Sequence, residues 1–327
     1  MTPPPRLLLT GATGFIGRYL LQELKDSGYE VWVAVRSESN RRGLESESIV
    51  EVDYGSTAQM KSAFEEIGGF DYVVHNAGVT KCSHRSTFME VNYRNTTRLL
   101  RALEALAQRP KCFLYMSSMS SFAPNLTEQP LRSDSPQQPI TEYGRSKLAA
   151  EKAIAASVIP HVILCPTGVY GKGDQDYILS IQTMKRGFSF VSGTTPQLLS
   201  FVHVRDVARA VSFLLQHPES YGERYLLCDG KDYTDQDFTE IVSQLIGRRV
   251  REVRVPLRLV KRACYIGDKV GKIIGKPLVF NQDKYPILAQ HNWLCDITPL
   301  LSLGFQPQYD LRSGIAEALD LPRKENL

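Results

Sequence analysis

Short apolar runs alternate with amphipathic stretches along the first half of the chain. Leu7–Leu9, Val31–Val35, Ile49–Val52, Tyr72–His75, Lys111–Met116 and His161–Cys165 each read as a strand buried on both faces, because apolar residues fill successive positions. Between them the apolar period becomes helical. Ile16, Tyr19, Leu20 and Leu24 share one face of a helix from Phe15 to about Lys25, and further helices are predicted over Thr57–Ile67, Phe88–Ala107 and Glu142–Ala156. This alternation predicts an α/β fold with a doubly wound parallel sheet. After Pro166 the alternation loosens, and glycines and aromatics dominate Gly168–Gly193. Phe201–Ala208 reads as a short strand feeding a helix to about Gln216, and Tyr225–Cys228 as another strand. Asp235–Ile246 reads as a helix capped by Thr234, with Asp237 at the third helical position. The expected organisation is a sheet domain over residues 1–165 and a smaller lobe over 166–327, with 201–228 returning to the sheet.

The polar and glycine residues fall at the carboxyl ends of the predicted strands, where ligands bind in such sheets. Leu7–Leu9 leads into Thr10-Gly11-Ala12-Thr13-Gly14-Phe15-Ile16-Gly17. Strand, glycine-rich turn and helix are the context of a dinucleotide-binding turn. Glycines allow the tight turn and close backbone approach, and the helix N-terminus offers N–H groups and a positive dipole end to a pyrophosphate. The G-x-x-G-x-x-G spacing is one residue longer than the standard fingerprint.

Composition narrows the class. The 327 residues suffice for a core without staples, and a net charge of +4 is too small to argue for nucleic acid. No apolar run approaches the ~20 residues of a membrane span, and the stretch Met1–Pro5 carries no signal-peptide core. Six cysteines (82, 112, 165, 228, 264 and 295) are scattered without a C-x-x-C pair, which predicts reduced thiols and a cytoplasmic protein. The six histidines form no metal-ligand pattern.

Tyr143 and Lys147 are separated by one helical turn and share a face. A free phenol titrates near pH ~10, and a neighbouring ammonium together with a cationic nicotinamide ring would lower that value toward useful acid/base chemistry. Ser118, at the end of the fifth predicted strand, is positioned to hydrogen-bond a substrate carbonyl; Ser117, Ser120 and Ser121 crowd the same spot, and Ser117 is the alternative.

Taken with these motifs, the chain resembles an extended short-chain dehydrogenase/reductase of the epimerase/dehydratase superfamily. The matching residues are Thr10–Gly17, Asp53, His75–Gly78, Val91-Asn92, Tyr115–Ser118, Tyr143–Lys147, Pro166–Gly171, Phe201–Ala208, Trp293 with Asp296, and Leu303–Phe305. The resemblance implies a Rossmann sheet with a smaller C-terminal substrate lobe, and NAD(P)-dependent redox chemistry on a small molecule. It assigns Tyr143 as acid/base, Lys147 to the ribose and to tuning Tyr143, Ser118 to the substrate oxygen, and Asn92 to the helix geometry behind the site. Gly11, Thr13, Gly14, Phe15, Ile16 and Gly17 would hold the pyrophosphate side of the cofactor; Asp53 and Tyr54 would lie at the adenine; Asn76, Ala77, Gly78, Pro166 and Val169 would lie along the path to the nicotinamide. A homodimer is compatible with the resemblance.

Two departures from the family pattern carry information. Relatives specific for NAD place an acidic residue at the end of the second strand; here Arg36 stands there, followed by Arg41 and Arg42, which suits the 2′-phosphate of NADP, with NAD as the alternative. Nucleotide-sugar members often carry an arginine before the Phe201 segment, where this chain has Leu198-Leu199-Ser200. The lobe instead offers Tyr170, Tyr177, Phe188, Phe190 and Val191, resembling the branch acting on hydroxysteroids, dihydroflavonols and other apolar alcohols and ketones. The expected function is therefore hydride transfer between NADP(H) and a hydroxy/keto group of a mainly apolar substrate. The alternatives are a nucleotide-sugar epimerase/dehydratase and a non-catalytic NADP-sensing regulator. Finally, Arg248–Lys276 holds ten Lys/Arg in 29 residues, interleaved with Leu257, Val260, Ile266, Val270 and Ile274. It reads as a surface helix with one buried face, a membrane-surface or anionic-partner role being the alternative.

Overall fold

The computed structural model describes residues 3–321 apart from 83, 123, 276, 277 and 279. Met1, Thr2 and Lys276 lie outside the described residues. Seven strands form one sheet: β1 Arg6–Thr10, β2 Glu30–Val35, β3 Ser48–Glu51, β4 Tyr72–His75, β5 Cys112–Met116, β6 His161–Pro166 and β7 Arg224–Leu227. In space they run β7-β6-β5-β4-β1-β2-β3, and each adjacent pair is parallel. The order reverses between β1 and β4, so the loops leaving those two strands diverge and open a crevice beyond their carboxyl ends.

Five helices cover the sheet: α1 Phe15–Asp26, α2 Thr57–Ile67, α3 Asn95–Glu104, α4 Glu142–Ala155 and α5 Val204–Leu215. Alternation along β1 shows how. Leu7 and Leu9 pack on one face with Leu20 and Leu24 of α1 and Val207 and Val211 of α5. Leu8 packs on the other face with Met60 and Phe64 of α2 and Leu99 and Leu103 of α3. A strand covered on both sides needs an apolar residue at every position, hence the continuous run. α5 returns the chain to the sheet, where β7 pairs with β6.

The helix expected over Phe88–Ala107 is not continuous. Ser86–Phe88 is a single short turn, Met89–Arg94 is a π-helical turn, and α3 follows. The wider turn carries the fully buried Asn92, whose side chain meets the loop after β4. Its Nδ2 donates to the Val79 carbonyl (3.0 Å) and to Ser146 Oγ (3.0 Å), and its Oδ1 accepts from the Val79 N–H (2.8 Å). π-Turns recur where a functional site needs one side chain re-aimed.

The lobe has its own core, built around Tyr170, Phe201, Phe238 and Ile181. Helix Asp235–Leu245 has the expected cap: Thr234 Oγ1 accepts the Asp237 N–H (3.1 Å), and the Asp237 carboxylate accepts the Thr234 N–H (2.7 Å). The basic stretch departs from expectation. It opens with a strand, Arg251–Val255, paired with Phe188–Ser192, and only then becomes a helix, α6 Leu257–Ile274. The buried positions of α6 are Val260, Cys264 and Gly271, whereas Ile266, Val270 and Ile274 are exposed. Gly267 explains part of this, because a Cβ there would lie 2.0 Å from the Phe280 carbonyl oxygen: the helix packs through its smallest residues.

Candidate active site

The turn after β1 needs two of its three glycines for internal reasons. Gly11 has φ +73°, and a Cβ on it would lie 2.7 Å from the Ala77 nitrogen. A Cβ on Gly17 would lie 2.0 Å from the Gly11 carbonyl oxygen. Gly14 is different: its Cβ would meet only that same oxygen, at 3.4 Å. Nothing inside the fold demands glycine there, which fits close approach by an external group. Gly14 is also the N-cap of α1, which has no side-chain cap and no acidic residue in its first turn. The first N–H groups of the helix are left for an anion. Thr13 and Gly14 are exposed, and Phe15 and Ile16 are half-buried on the cleft wall. The residues present therefore fit a dinucleotide pyrophosphate.

The loop after β4 is fixed by a buried relay that the sequence reading missed. Thr10 Oγ1 accepts the Ala77 N–H (3.0 Å) and lies 2.8 Å from His75 Nδ1. His75 Nε2 lies 2.8 Å from Thr96 Oγ1, whose hydroxyl donates to the Asn92 carbonyl (2.8 Å). Thr96 thus accepts from Nε2–H and Thr10 donates to Nδ1. Burial pushes the His75 pKa down to about 3, so the ring stays neutral and the relay keeps one polarity. Asn76 Nδ2 reaches the Gly11 carbonyl (3.3 Å), tying both glycine-bearing loops together.

Of the two candidate serines, Ser117 hydrogen-bonds the buried Glu151, whereas Ser118 Oγ accepts the Ser120 N–H (3.2 Å) and lies near enough to Tyr143 to influence its phenol. Thr141 caps α4 by accepting the Gly144 N–H (2.9 Å), and Asp283 of the lobe accepts the N–H groups of Glu142 (2.9 Å) and Tyr143 (3.4 Å). Lys147, 4% exposed, points inward. Its Nζ donates to the Met116 carbonyl (2.7 Å) and lies 4.7 Å over the Tyr115 ring. The lowering expected of the Tyr143 pKa requires the cationic nicotinamide ring as well as this ammonium, and the free protein holds only the second. Burial of the phenol dominates and pushes its pKa up to about 12 against the opposing effect of Ser118. Burial also lowers Lys147 to about 8, with Glu151 opposing. Glu151 is one turn beyond Lys147 and binds Gln137 Nε2 (2.7 Å) and Arg224 Nε (3.0 Å). The i+4 spacing from Lys147 was the available signal for it.

Arg36, Asp53 and Tyr54 lie at the ends of β2 and β3. Arg36 is half exposed and pairs with Glu38 (3.1 Å), and Arg41 pairs with Glu51 (2.6 Å). Asp53 accepts the Gly55 N–H (2.7 Å), leaving further acceptor positions. Burial raises the Tyr54 phenol to about 12, with the Arg36 charge opposing.

A cleft of about 970 Å³ runs from α1 to the lobe. It brings together Phe15, Ile16, Asn76, Gly78, Ser118, Tyr143, Lys147, Pro166 and Val169 among the predicted residues. Gly11, Gly17 and Ala77 build the loops behind it, and Asn92 braces the loop after β4. From the lobe residues expected at the substrate, Tyr177, Phe190 and Val191 line the cleft. Tyr170 instead belongs to the lobe core, its hydroxyl donating to the Asp310 carbonyl (2.9 Å), and Phe188 is 46% exposed on the surface. Asp176 on the cleft wall, unforeseen from the sequence, hydrogen-bonds both Lys81 and Lys284.

A family model described as the NAD dependent epimerase/dehydratase family matches residues 7–228. The chain belongs to this family. Among its relatives, the ceramide reductase of Caulobacter vibrioides is 25% identical over 316 residues, covering 95% of this chain and 92% of that protein. The UDP-glucose 4-epimerase of Vibrio cholerae is 27% identical over 286 residues, covering 84% and 83%. The crystal structure of human epimerase family protein SDR39U1 with NADPH superposes with a TM-score of 0.75 at 19% identity, covering 97% of this chain and all of that one, and shows the shared fold. The chain is thus an extended short-chain dehydrogenase/reductase, an enzyme that uses a nicotinamide cofactor. No described helix is long and apolar enough to cross a membrane.

Proposed function

We propose that this family member transfers a hydride between NADP(H) and a hydroxy/keto group of a mainly apolar small molecule. One observation carries the substrate class: the charge of the cleft wall. Its described cations are Lys81, Lys147 and Lys284, against Asp174, Asp176, Asp235 and Asp283, with no arginine. Lys147 donates to the Met116 carbonyl and is the residue expected at the cofactor ribose, and Lys81 and Lys284 share Asp176. Lys172, a conceivable diphosphate partner, is bound to Asp320 (2.8 Å), and Lys185 and Arg186 are not on the described wall. Asp235 is paired with Arg254 (3.2 Å), so the wall is close to neutral and offers no arginine to a nucleotide diphosphate, whose anionic groups are costly to bury without cationic partners. Leu199 and Ser200, in place of the arginine common among nucleotide-sugar enzymes, line the same wall. Tyr177, Phe190, Phe201 and Phe238 favour a ring or chain at ~25 cal/mol per Å² of apolar area buried.

When bound, the nicotinamide supplies or accepts the hydride. Ser118 and Tyr143, neighbours on the cleft wall, would offer two hydroxyls to one substrate oxygen. With its pKa at about 12, Tyr143 is protonated in the resting protein and suits proton donation to a carbonyl. Lys147 would turn from Met116 to the cofactor ribose, and Gly14 with the N-terminus of α1 would take the pyrophosphate. The lobe beyond residue 166 would supply the substrate wall, and free thiols at all six cysteines fit a cytoplasmic setting.

The deciding experiment follows NADPH oxidation against panels of aromatic and alicyclic ketones, aldehydes and nucleotide sugars. A ketone or aldehyde should stimulate oxidation. UDP- and dTDP-sugars should neither turn over nor shift the melting temperature at millimolar concentration. Saturable micromolar binding of a nucleotide sugar to the cofactor-loaded protein would replace this reading with the epimerase/dehydratase one.

The cofactor reading is tested separately. The Arg36–Glu38 pair is solvent-exposed and therefore weak, so Arg36 can be redirected to a 2′-phosphate. NADPH should bind more tightly than NADH. Arg36→Ala should weaken NADPH by ~10-fold or more, the scale of one charged hydrogen bond, and leave NADH nearly unchanged. Equal affinities in the unaltered protein would remove the NADP assignment.

A further inference from the structure

The outer surface of α6 divides into two sectors that the fold leaves largely exposed. Leu259, Ile266, Val270 and Ile273 are 50%, 60%, 41% and 86% exposed. With Ala263 they follow alternating four- and three-residue steps, so they form one continuous apolar stripe along about 21 Å of helix. Beside the stripe runs a basic arc: Arg258, Lys261, Arg262, Lys269 and Lys272, all exposed. Among the described residues only Lys272 of these has a carboxylate partner, Asp268 (2.9 Å), and Asp268 is the helix's one acidic residue. The buried sector, Val260, Cys264 and Gly271, is separate from both. A monomer surface does not ordinarily keep so long an apolar stripe uncovered.

We propose that α6 docks on the surface of an anionic phospholipid bilayer, its apolar stripe in the acyl boundary and its basic arc at the headgroups. Charge selects this occupant. A second copy of the chain packed along the stripe about a two-fold axis would bring Arg262 and Lys269 against themselves, with no acidic residue on either flank to pair with them. Anionic headgroups complement the arc instead, and an apolar face flanked by Lys/Arg is the design of an interfacial helix. The stripe is also continuous with the cleft. Leu259 and Ala263, at its beginning, line the cleft wall together with Phe190 and Phe280, which are 60% and 48% exposed. A docked molecule would open its cleft toward the bilayer. That an apolar substrate enters from the membrane rests on the function proposed above; the docking itself does not.

The test is flotation of the full chain with vesicles of phosphatidylcholine alone and of phosphatidylcholine mixed with phosphatidylglycerol, read without turnover. The chain should float with the mixed vesicles, and binding should weaken as salt is raised. Ile266→Glu with Ile273→Glu should reduce vesicle affinity by roughly 10-fold or more, and so should Arg262→Glu with Lys269→Glu. These side chains are exposed, so NADPH binding and melting temperature should match the parent and show that the variants fold. Failure to float with mixed vesicles, or flotation unaffected by both double variants, overturns the proposal. Concentration-dependent dimerisation abolished by Ile266→Glu with Ile273→Glu, without vesicle binding, assigns the stripe to a second copy and also overturns it. Turnover against the ketone panel in detergent-free buffer reports on the redox reading alone, so the two failures are distinguishable.

Discussion

Replacing Tyr143 with Phe is expected to lower turnover by about 100-fold or more while NADPH affinity stays nearly unchanged. That is the usual scale of a lost acid/base group, and it equals about 2.7 kcal/mol of barrier at about 1.36 kcal/mol per tenfold. The phenyl ring keeps its place at the cleft wall, 6.0 Å from the Phe88 ring, so the change removes little but the hydroxyl. The partner of Tyr143, Lys147, gives the same site a pH signature. Burial lowers its pKa to about 8, so its charge is present below that value and lost above it. The kcat/KM for NADPH reports the free protein, and it should decline as pH rises through about 8. Lys147→Met should be low throughout and lack the decline. If Tyr143→Phe keeps most of its turnover on a verified substrate, the proton comes from another group. A flat profile through pH 8 would show that the Lys147 charge plays no part in cofactor capture.

The strands and their polar ends were legible because a strand covered on both faces must be apolar at every position, and must stop where the chain leaves the sheet. Leu7–Leu9 and Tyr72–His75 carried that signal without ambiguity, and so did the helix over Thr57–Ile67. The π-turn at Asn92 was not legible. Its neighbours keep an ordinary helical apolar spacing, and the cause is a contact with Val79, thirteen residues earlier. The same holds for the site's electrostatics. The Tyr143–Lys147 spacing suggested a lowered phenol pKa, but burial decides both groups in the free protein, and burial comes from the assembled cleft. Asp283 could not be linked to Tyr143 from a sequence separation of 140 residues. In α6 the apolar residues were visible, but not which of them face outward. Small residues, Cys264 and Gly271, with Gly267 against Phe280, take the packing side and leave larger ones to solvent.

Gly17→Ala and Gly14→Ala should separate the two reasons for glycine in the turn after β1. At Gly17 the new methyl would lie 2.0 Å from the Gly11 carbonyl oxygen and 2.7 Å from the Ala12 Cα. Both are backbone atoms behind a buried turn and cannot swing aside, so α1 itself must shift. The gain in helix propensity, about 0.5–1 kcal/mol, is outweighed by an overpacking cost of about 1–3 kcal/mol or more. The melting temperature should drop by several degrees. NADPH affinity should fall by roughly 100-fold, because the shift carries the first N–H groups of α1 away from the pyrophosphate they would bind. At Gly14 the methyl meets only the Gly11 oxygen, at 3.4 Å, an ordinary contact. Stability should hold there, yet NADPH affinity should still fall by ~10-fold or more, because the methyl would occupy the space through which a phosphate approaches the backbone. The comparison is read by thermal melting without cofactor and by NADPH titration. If Gly14→Ala binds NADPH as tightly as the parent, the pyrophosphate does not lie against the N-terminus of α1. If Gly17→Ala melts like the parent, the close packing of α1 on the β1 turn is not what fixes that glycine.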